Sequence, residues 1–208
     1  MEITATMVKE LREQTGAGIL DCKLALQEAD GDLEKATQLL RKKGLARAAK
    51  KVGRAAHEGL IEAYIHAGGR VGALVELNCE TDFVARTDAF KELAHDLAMQ
   101  VVATNPRYLD EDDIPTEVLE GQRESFRAEA AGDGKPDHVV ERIVEGKMAK
   151  YLDEVCLLRQ PFIKDEGLTV RDLITEKIAQ LGENIVVRRF ARFELGGEDG
   201  ASDEDHRN

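Results

Sequence analysis

Leu60-Ile61-Glu62-Ala63-Tyr64-Ile65 and Val71-Gly72-Ala73-Leu74-Val75-Glu76-Leu77 stand on either side of Gly68-Gly69. Two β-rich runs joined across a Gly-Gly pair read as an antiparallel hairpin, because glycine supplies the backbone freedom a tight reversal needs. A lone hairpin is marginal in water and needs a further strand. The stretch Ile185-Val186-Val187-Arg188-Arg189-Phe190-Ala191-Arg192-Phe193-Glu194-Leu195, long and β-branched at its start, is the candidate, which gives a three-stranded antiparallel sheet. Helices must then cover one face. Phe90, Leu93, Ala94, Leu97, Ala98, Val101 and Val102 recur at helical spacing. Val139, Val140, Ile143, Val144, Met148, Tyr151, Leu152 and Val155 do the same, as do Leu173, Ile174, Ile178 and Leu181. Gly132-Asp133-Gly134-Lys135-Pro136 is expected to be a loop between helices.

Toward the start of the chain the period is helical throughout. Ile3, Met7, Val8 and Leu11 mark one helix, which Thr15-Gly16-Ala17-Gly18 ends. Ile19, Leu20, Leu24 and Leu26 mark a second; after an Ala29-Asp30-Gly31-Asp32 turn, Leu33, Ala36, Leu39 and Leu40 mark a third, which Gly44 is expected to stop. Three short helices make a compact bundle near the lower size limit for folding alone, suited to docking rather than to enclosing a chemical site. The expected fold is therefore α+β. Residues 1–54 form a helical docking module with a basic connector over 45–54, residues 55–195 an α+β core, and residues 196–208 an acidic disordered tail.

The 208 residues carry a net charge of −12, with 42% hydrophobic residues, six Phe, three Tyr and no Trp. Such a composition excludes fibrous and disordered classes and gives poor support to an aromatic platform for stacking bases. No run of apolar residues is long enough to cross a bilayer and the start lacks a leader pattern, so a cytoplasmic protein is expected. Charge is unevenly spread, net +3 over residues 1–54 and −15 over the rest. Arg41, Lys42, Lys43, Arg47, Lys50, Lys51 and Arg54 fall together with no acid between them. That segment is either a solvated helix and linker, the commoner case, or a surface for RNA or an acidic partner.

Catalytic chemistry finds no foothold. His57, His66, His95, His138 and His206 have no metal-ligand spacing, Gly16-Ala17-Gly18 lacks the rest of a phosphate-binding loop, and Cys22, Cys79 and Cys156 are too scattered for a disulfide framework or a zinc site. The cysteines read as buried, reduced thiols. Neither a metal nor a cofactor is expected, and no spacing nominates a carboxylate pair.

Two segments stand out. Asn78-Cys79-Glu80-Thr81-Asp82-Phe83-Val84-Ala85-Arg86-Thr87-Asp88 connects a strand to a helix yet carries Phe83 and Val84, where a connection is normally polar. Phe83 either folds back under the sheet as a core residue, the commoner fate of a loop aromatic, or anchors in a partner's pocket. At the junction of the first two helices, Ile19 and Leu20 are adjacent and point about 100° apart, so both cannot sit at the centre of one narrow stripe. Either the small bundle has a wide apolar face, or one of the two is left for a partner.

Leu11-Arg12-x-x-Thr15-Gly16-Ala17-Gly18-Ile19-Leu20-Asp21-Cys22-Lys23 and Glu76-Leu77-Asn78-Cys79-Glu80-Thr81-Asp82-Phe83-Val84-Ala85-Arg86 closely resemble the two signature segments of the translation elongation factor Ts family. Ala98-Met99-Gln100-Val101-Val102-Ala103, Glu145-Gly146-Lys147-Met148 and Gln160-Pro161-Phe162 extend the likeness up to Leu195, and the length resembles the family's short bacterial form. The resemblance implies a non-enzymatic guanine-nucleotide exchange factor for elongation factor Tu, with a ubiquitin-associated-like N-terminal bundle. It implies that Thr81, Asp82, Phe83 and Val84 approach the partner's nucleotide domain, the phenylalanine wedging between helices to disturb the magnesium and phosphate site. It also implies that Arg12, Ile19 and Leu20 contact a different helix of that domain. Short relatives look like dimers, and the 185–195 strand is apolar on much of both faces, so a homodimer through the sheet is expected. Leu24 and Gln100 depart from the family pattern, which has a basic or polar residue at the first position and commonly a His at the second. The alternatives are an RNA- or ubiquitin-like-protein-binding module working through the basic stretch, or an enzyme with a diffuse carboxylate site.

Overall fold

The computed structural model describes residues 3–131 and 136–197; all but the first two residues of the expected acidic tail and most of the expected 132–136 loop lie outside these. Helix α1 (Ala5–Thr15) is capped by Thr4, whose hydroxyl accepts the Met7 N–H at 3.3 Å, and closes at Gly16, whose φ of 66° is the left-handed conformation that glycine adopts without strain. Helix α2 (Ile19–Glu28) follows directly, and α3 (Leu33–Ala49) is capped by the Asp32 carboxylate on the Lys35 N–H at 3.0 Å. The bundle core is Leu11, Cys22, Ala25, Leu26, Ala29 and Ala36, with Ile3, Met7, Leu33, Leu39 and Leu40 packed around it.

Helix α3 does not stop at Gly44. It runs on to Ala49, so half of the expected connector is helical. The glycine serves a close approach instead: a Cβ there would stand 3.1 Å from the Ala179 Cβ on α8 (Val170–Leu181). A glycine inside a helix costs about 1 kcal/mol relative to alanine, which the neighbouring Leu45, Ala46, Ala48 and Ala49 tolerate.

Strands β1 (Glu58–Ile65) and β2 (Val71–Cys79) form the expected hairpin, closed by the His66 N–H on the Val71 carbonyl at 2.9 Å with Gly68 and Gly69 at positive φ. Strand β5 (Ile185–Glu194) adds to β2, giving an antiparallel sheet in the order β1-β2-β5. From Ala73 onward β2 alternates, with Ala73, Val75 and Leu77 buried, Leu74 exposed and Glu76 half-buried between them. In β5 two consecutive exposed residues, Arg188 and Arg189, interrupt it.

After β2 come a single turn of helix, α4 (Asp82–Ala85), and the long α5 (Asp88–Thr104). Leu93, Ala94, Leu97, Ala98 and Val101 of α5 are fully buried. The Glu62 carboxylate reaches His95 Nδ1 at 2.9 Å, and Arg192 Nε donates to the Val102 carbonyl at 3.3 Å, so α5 lies against both edges of the sheet.

Helix α6 (Thr116–Ala131), which the apolar pattern did not nominate, packs on α7 (Asp137–Val155) around Val140, Val144 and Met148, with Phe126 and Tyr151 edge to face at 6.5 Å. A two-stranded ribbon, β3 (Pro161–Phe162) and β4 (Asp165–Thr169), precedes α8.

By packing the chain divides into two units. One comprises the residues up to Gly59 together with Asn78–Phe90 and Asp172–Val186; the other comprises Leu60–Leu77, Lys91–Arg171 and the residues from Val187 onward.

Candidate functional site

The Phe83 segment is a helix rather than an open loop. Thr81 is its N-cap, with the hydroxyl accepting the Val84 N–H at 3.5 Å, and the Arg86 N–H closes the turn on the Asp82 carbonyl at 3.2 Å. Thr87 then caps α5: its hydroxyl donates to the Val84 carbonyl at 2.8 Å and accepts the Phe90 N–H at 3.3 Å. Two threonine caps thus bracket four helical residues. Ala85 faces inward and Val84 is half-buried, while Phe83 is 78% exposed. The expectation that a loop aromatic plugs its own core fails here, because the inward side of so short a helix is taken by Ala85 and, in part, by Val84. Asp82 does not cap; it occupies the first helical position and pairs with Arg86 at 2.7 Å on the surface.

The backbone leading into this helix is tied down within the same unit. Thr81 donates its N–H to Glu183 Oε2 at 2.9 Å and its hydroxyl to Oε1 at 2.6 Å. Glu80 accepts the Asn184 N–H at 2.7 Å, and Asn184 Nδ2 donates to the Arg54 carbonyl at 2.8 Å. The Asn184 N–H, and after it the Arg54 guanidinium 3.5 Å away, hold the Glu80 carboxyl below its ordinary value against the opposing effect of desolvation.

The second sequence-predicted cluster lies on the bundle. Helix α2 buries the small residues Cys22 and Ala25 along with Leu26, with Ala29 buried just past its end, and turns Ile19 (61% exposed), Leu20 (69%) and Leu24 outward. The junction holds them there. Thr15 Oγ1 donates to the Leu11 carbonyl at 2.7 Å and accepts the Ala17 N–H at 3.3 Å, so α2 restarts at a fixed angle immediately after the Gly16 turn. Ile3, Val8, Arg12, Ile19 and Lys23 line an open groove beside this ridge. Both adjacent apolar residues, not one, are left unburied.

The family model described as Elongation factor TS matches residues 27–196. Elongation factor Ts of Carboxydothermus hydrogenoformans is 63% identical over 194 residues, which cover 93% of this chain and 89% of that protein. Elongation factor Ts of Caldanaerobacter subterraneus is 60% identical over 93% of this chain and 97% of its own length, and that of Moorella thermoacetica is 60% identical over 93% and 96%. The chain belongs to the elongation factor Ts family.

In this member of the elongation factor Ts family the remaining chemistry-bearing residues are structural. Burial pushes the Cys79 and Cys156 thiols up to about 11, so both are neutral at physiological pH and poor nucleophiles. All three cysteines are buried and free. Gln100 is fully buried: its amide donates to the Pro161 carbonyl at 3.1 Å and to Gln160 Oε1 at 3.3 Å, and its oxygen accepts the Ile163 N–H at 2.9 Å. It fastens α5 to the β3–β4 ribbon, within its own subunit. Of the seven cations between residues 41 and 54, Arg41 pairs with Glu176 at 3.1 Å, Lys43 with Glu28, Arg47 bidentately with Asp21 at 2.9 and 3.0 Å, and Arg54 with Glu80. Half or more of the segment's charge is thereby answered by its own chain. Among the described residues no cluster of side chains is arranged to hold a metal ion, and no helix is long and apolar enough to cross a membrane.

Proposed function

We propose that this chain, a translation elongation factor by its membership of the elongation factor Ts family, is the guanine-nucleotide exchange factor of elongation factor Tu: it binds the GDP-bound partner, displaces magnesium and GDP, and leaves the site open to GTP. The observation that carries this reading is the presentation of Phe83, an aromatic ring left in water on a helix whose ends are fixed. A free-standing ring of that size is costly to expose, and a buried aromatic accounts for ~150–250 Å² of surface. If the ring fits only a partner whose helices have parted, the gain on burying it belongs to the nucleotide-free state alone and shifts the equilibrium toward it. No bond is made or broken, so no nucleophile, base or cofactor is required. Thermodynamic linkage adds a condition: the factor by which the chain weakens GDP binding is the factor by which GDP weakens binding of the chain.

The helical module of residues 1–54 supplies affinity in this scheme. Arg12 and the Ile19-Leu20 ridge dock on a second helix of the partner, while Thr81, Asp82, Phe83 and Val84 act at the magnesium and phosphate site. The 55–195 core holds the two contacts in one chain and forms a cytoplasmic homodimer through its sheet. Its outer face supports that last point, since Ile61, Ile65, Leu74, Phe193 and Leu195 are all exposed on it. Direct nucleic-acid contact has no part in the mechanism.

The test is a comparison of affinities by calorimetry. The chain is expected to bind nucleotide-free elongation factor Tu at least tenfold more tightly than the GDP–magnesium form, about 1.4 kcal/mol of coupling. Equal affinities would sink the exchange reading. Light scattering at micromolar concentration is expected to give twice the chain mass; the single-chain mass would remove the dimer.

A further inference from the structure

In a capping box, the residue at the third helical position returns a carboxylate or amide to the N–H of the N-cap. Helix α4 has Thr81 as its cap but Val84 at that third position, which can return nothing. The missing group comes from elsewhere in the chain. Glu183, 102 residues later and in the turn between α8 and β5, takes both the N–H and the hydroxyl of Thr81, at 2.9 and 2.6 Å. The second distance is that of a charge-assisted O–H to carboxylate bond. One position before Thr81, Glu80 sends its own carboxylate the other way, onto the Asn184 N–H. Each turn thus lends a carboxylate to the other's backbone.

We propose that Glu183 is a positioning residue for Phe83, completing the cap of α4 from outside and fixing the direction in which the ring leaves the surface. The inference rests on the reading of Phe83 given above. With most of its surface in solvent, the ring has little packing of its own to orient it, so its direction is that of the α4 backbone. A single helical turn is far below the length at which a helix holds itself together. The bond within the cap is long, 3.5 Å, whereas both bonds to Glu183 are short. Without Glu183 the turn frays locally, and the ordering of the ring must then be supplied at the moment of insertion, which slows the step that expels GDP.

The test is stopped-flow release of fluorescent GDP from elongation factor Tu with the full chain and three variants: Glu183→Gln, Phe83→Ala and the Glu183→Gln/Phe83→Ala double variant. In Glu183→Gln the amide nitrogen faces a Thr81 donor, and the maximal release rate is expected to fall about tenfold with the half-saturating concentration within about twofold of wild type. In the Phe83→Ala background the Glu183 change is expected to have no further effect, because there is no ring left to place. A 4-fluorophenylalanine label at position 83 provides a signature independent of exchange: its fluorine resonance is expected to move toward the free amino acid's in Glu183→Gln, with the melting temperature unchanged. Equal slowing with and without Phe83, a loss confined to half-saturation, or an unmoved fluorine signal would overturn the inference. If Phe83→Ala slows release while Glu183→Gln does not, the positioning role alone falls; if Phe83→Ala itself releases GDP at the wild-type rate, the underlying reading falls.

Discussion

Phe83 and Phe90 stand seven residues apart in helices that begin alike. Each helix is capped by a threonine and opens with an aspartate, Thr81-Asp82 in one and Thr87-Asp88 in the other. Phe83 occupies the second helical position and is 78% exposed, whereas Phe90 occupies the third and is fully buried. In both helices the third position turns toward the protein, since Val84 is half-buried as well. The two rings therefore differ by one residue of phase, about 100° of rotation, and that rotation separates a ring that stabilises the fold from one held out for a partner.

Loss of the buried ring is expected to have the largest effect. Phe90→Ala is expected to destabilise the protein by about 3–5 kcal/mol in denaturant melts, while the exchange rate per folded molecule stays at the wild-type value. A small stability loss would mean that Phe90 packs more loosely than its burial indicates. Next in size is the transposition Phe83→Val with Val84→Phe, which keeps composition but turns the ring inward. Over-packing of the half-buried position is expected to cost about 1–3 kcal/mol of stability, and exchange is expected to fall as far as in Phe83→Ala. Retained exchange would show that the ring's presence matters and its phase does not.

A smaller effect sharpens the role of the tether. Glu80 has a lowered carboxyl pKa, so its contribution to stability is complete above the ordinary 4.5 and is lost as the pH falls through the lowered folded value. Acid should loosen the turn before α4 by this route. Glu80→Gln is expected to flatten the part of the melting-temperature profile below about pH 4.5 and leave neutral exchange near wild type. An unchanged acid limb would place the acid sensitivity elsewhere.

Much of the fold was legible because the hairpin is two β-rich runs about a Gly68-Gly69 turn and α5 carries an unmixed period of 3.6. Gly44 misled because one symbol serves two purposes, a helix stop and a close approach, and only the distance to Ala179 tells them apart. Helix α6 was missed although Val118, Gln122, Phe126 and Ala130 recur every four residues, since two of these four are not strongly apolar. On α2 the largest apolar residues define the wrong face: the core stripe is Cys22, Ala25, Leu26 and Ala29 at helical spacing, and reading that stripe first would have marked Ile19, Leu20 and Leu24 as outward. Phe83 was visible as an anomaly in a polar stretch, but its fate depended on helix phase, and α4 is too short to show a period. The Thr81–Glu183 bond had no local signal beyond the valine standing where a capping box needs Glu or Gln.

The central claim is that an exposed ring, supported by its own chain, does the work of expelling GDP. Stopped-flow release of fluorescent GDP from elongation factor Tu at saturating Phe83→Ala tests it most directly. The account predicts a variant as stable as wild type within about 0.5 kcal/mol that still binds the partner but discharges GDP at least tenfold more slowly. Release at the wild-type rate would contradict it.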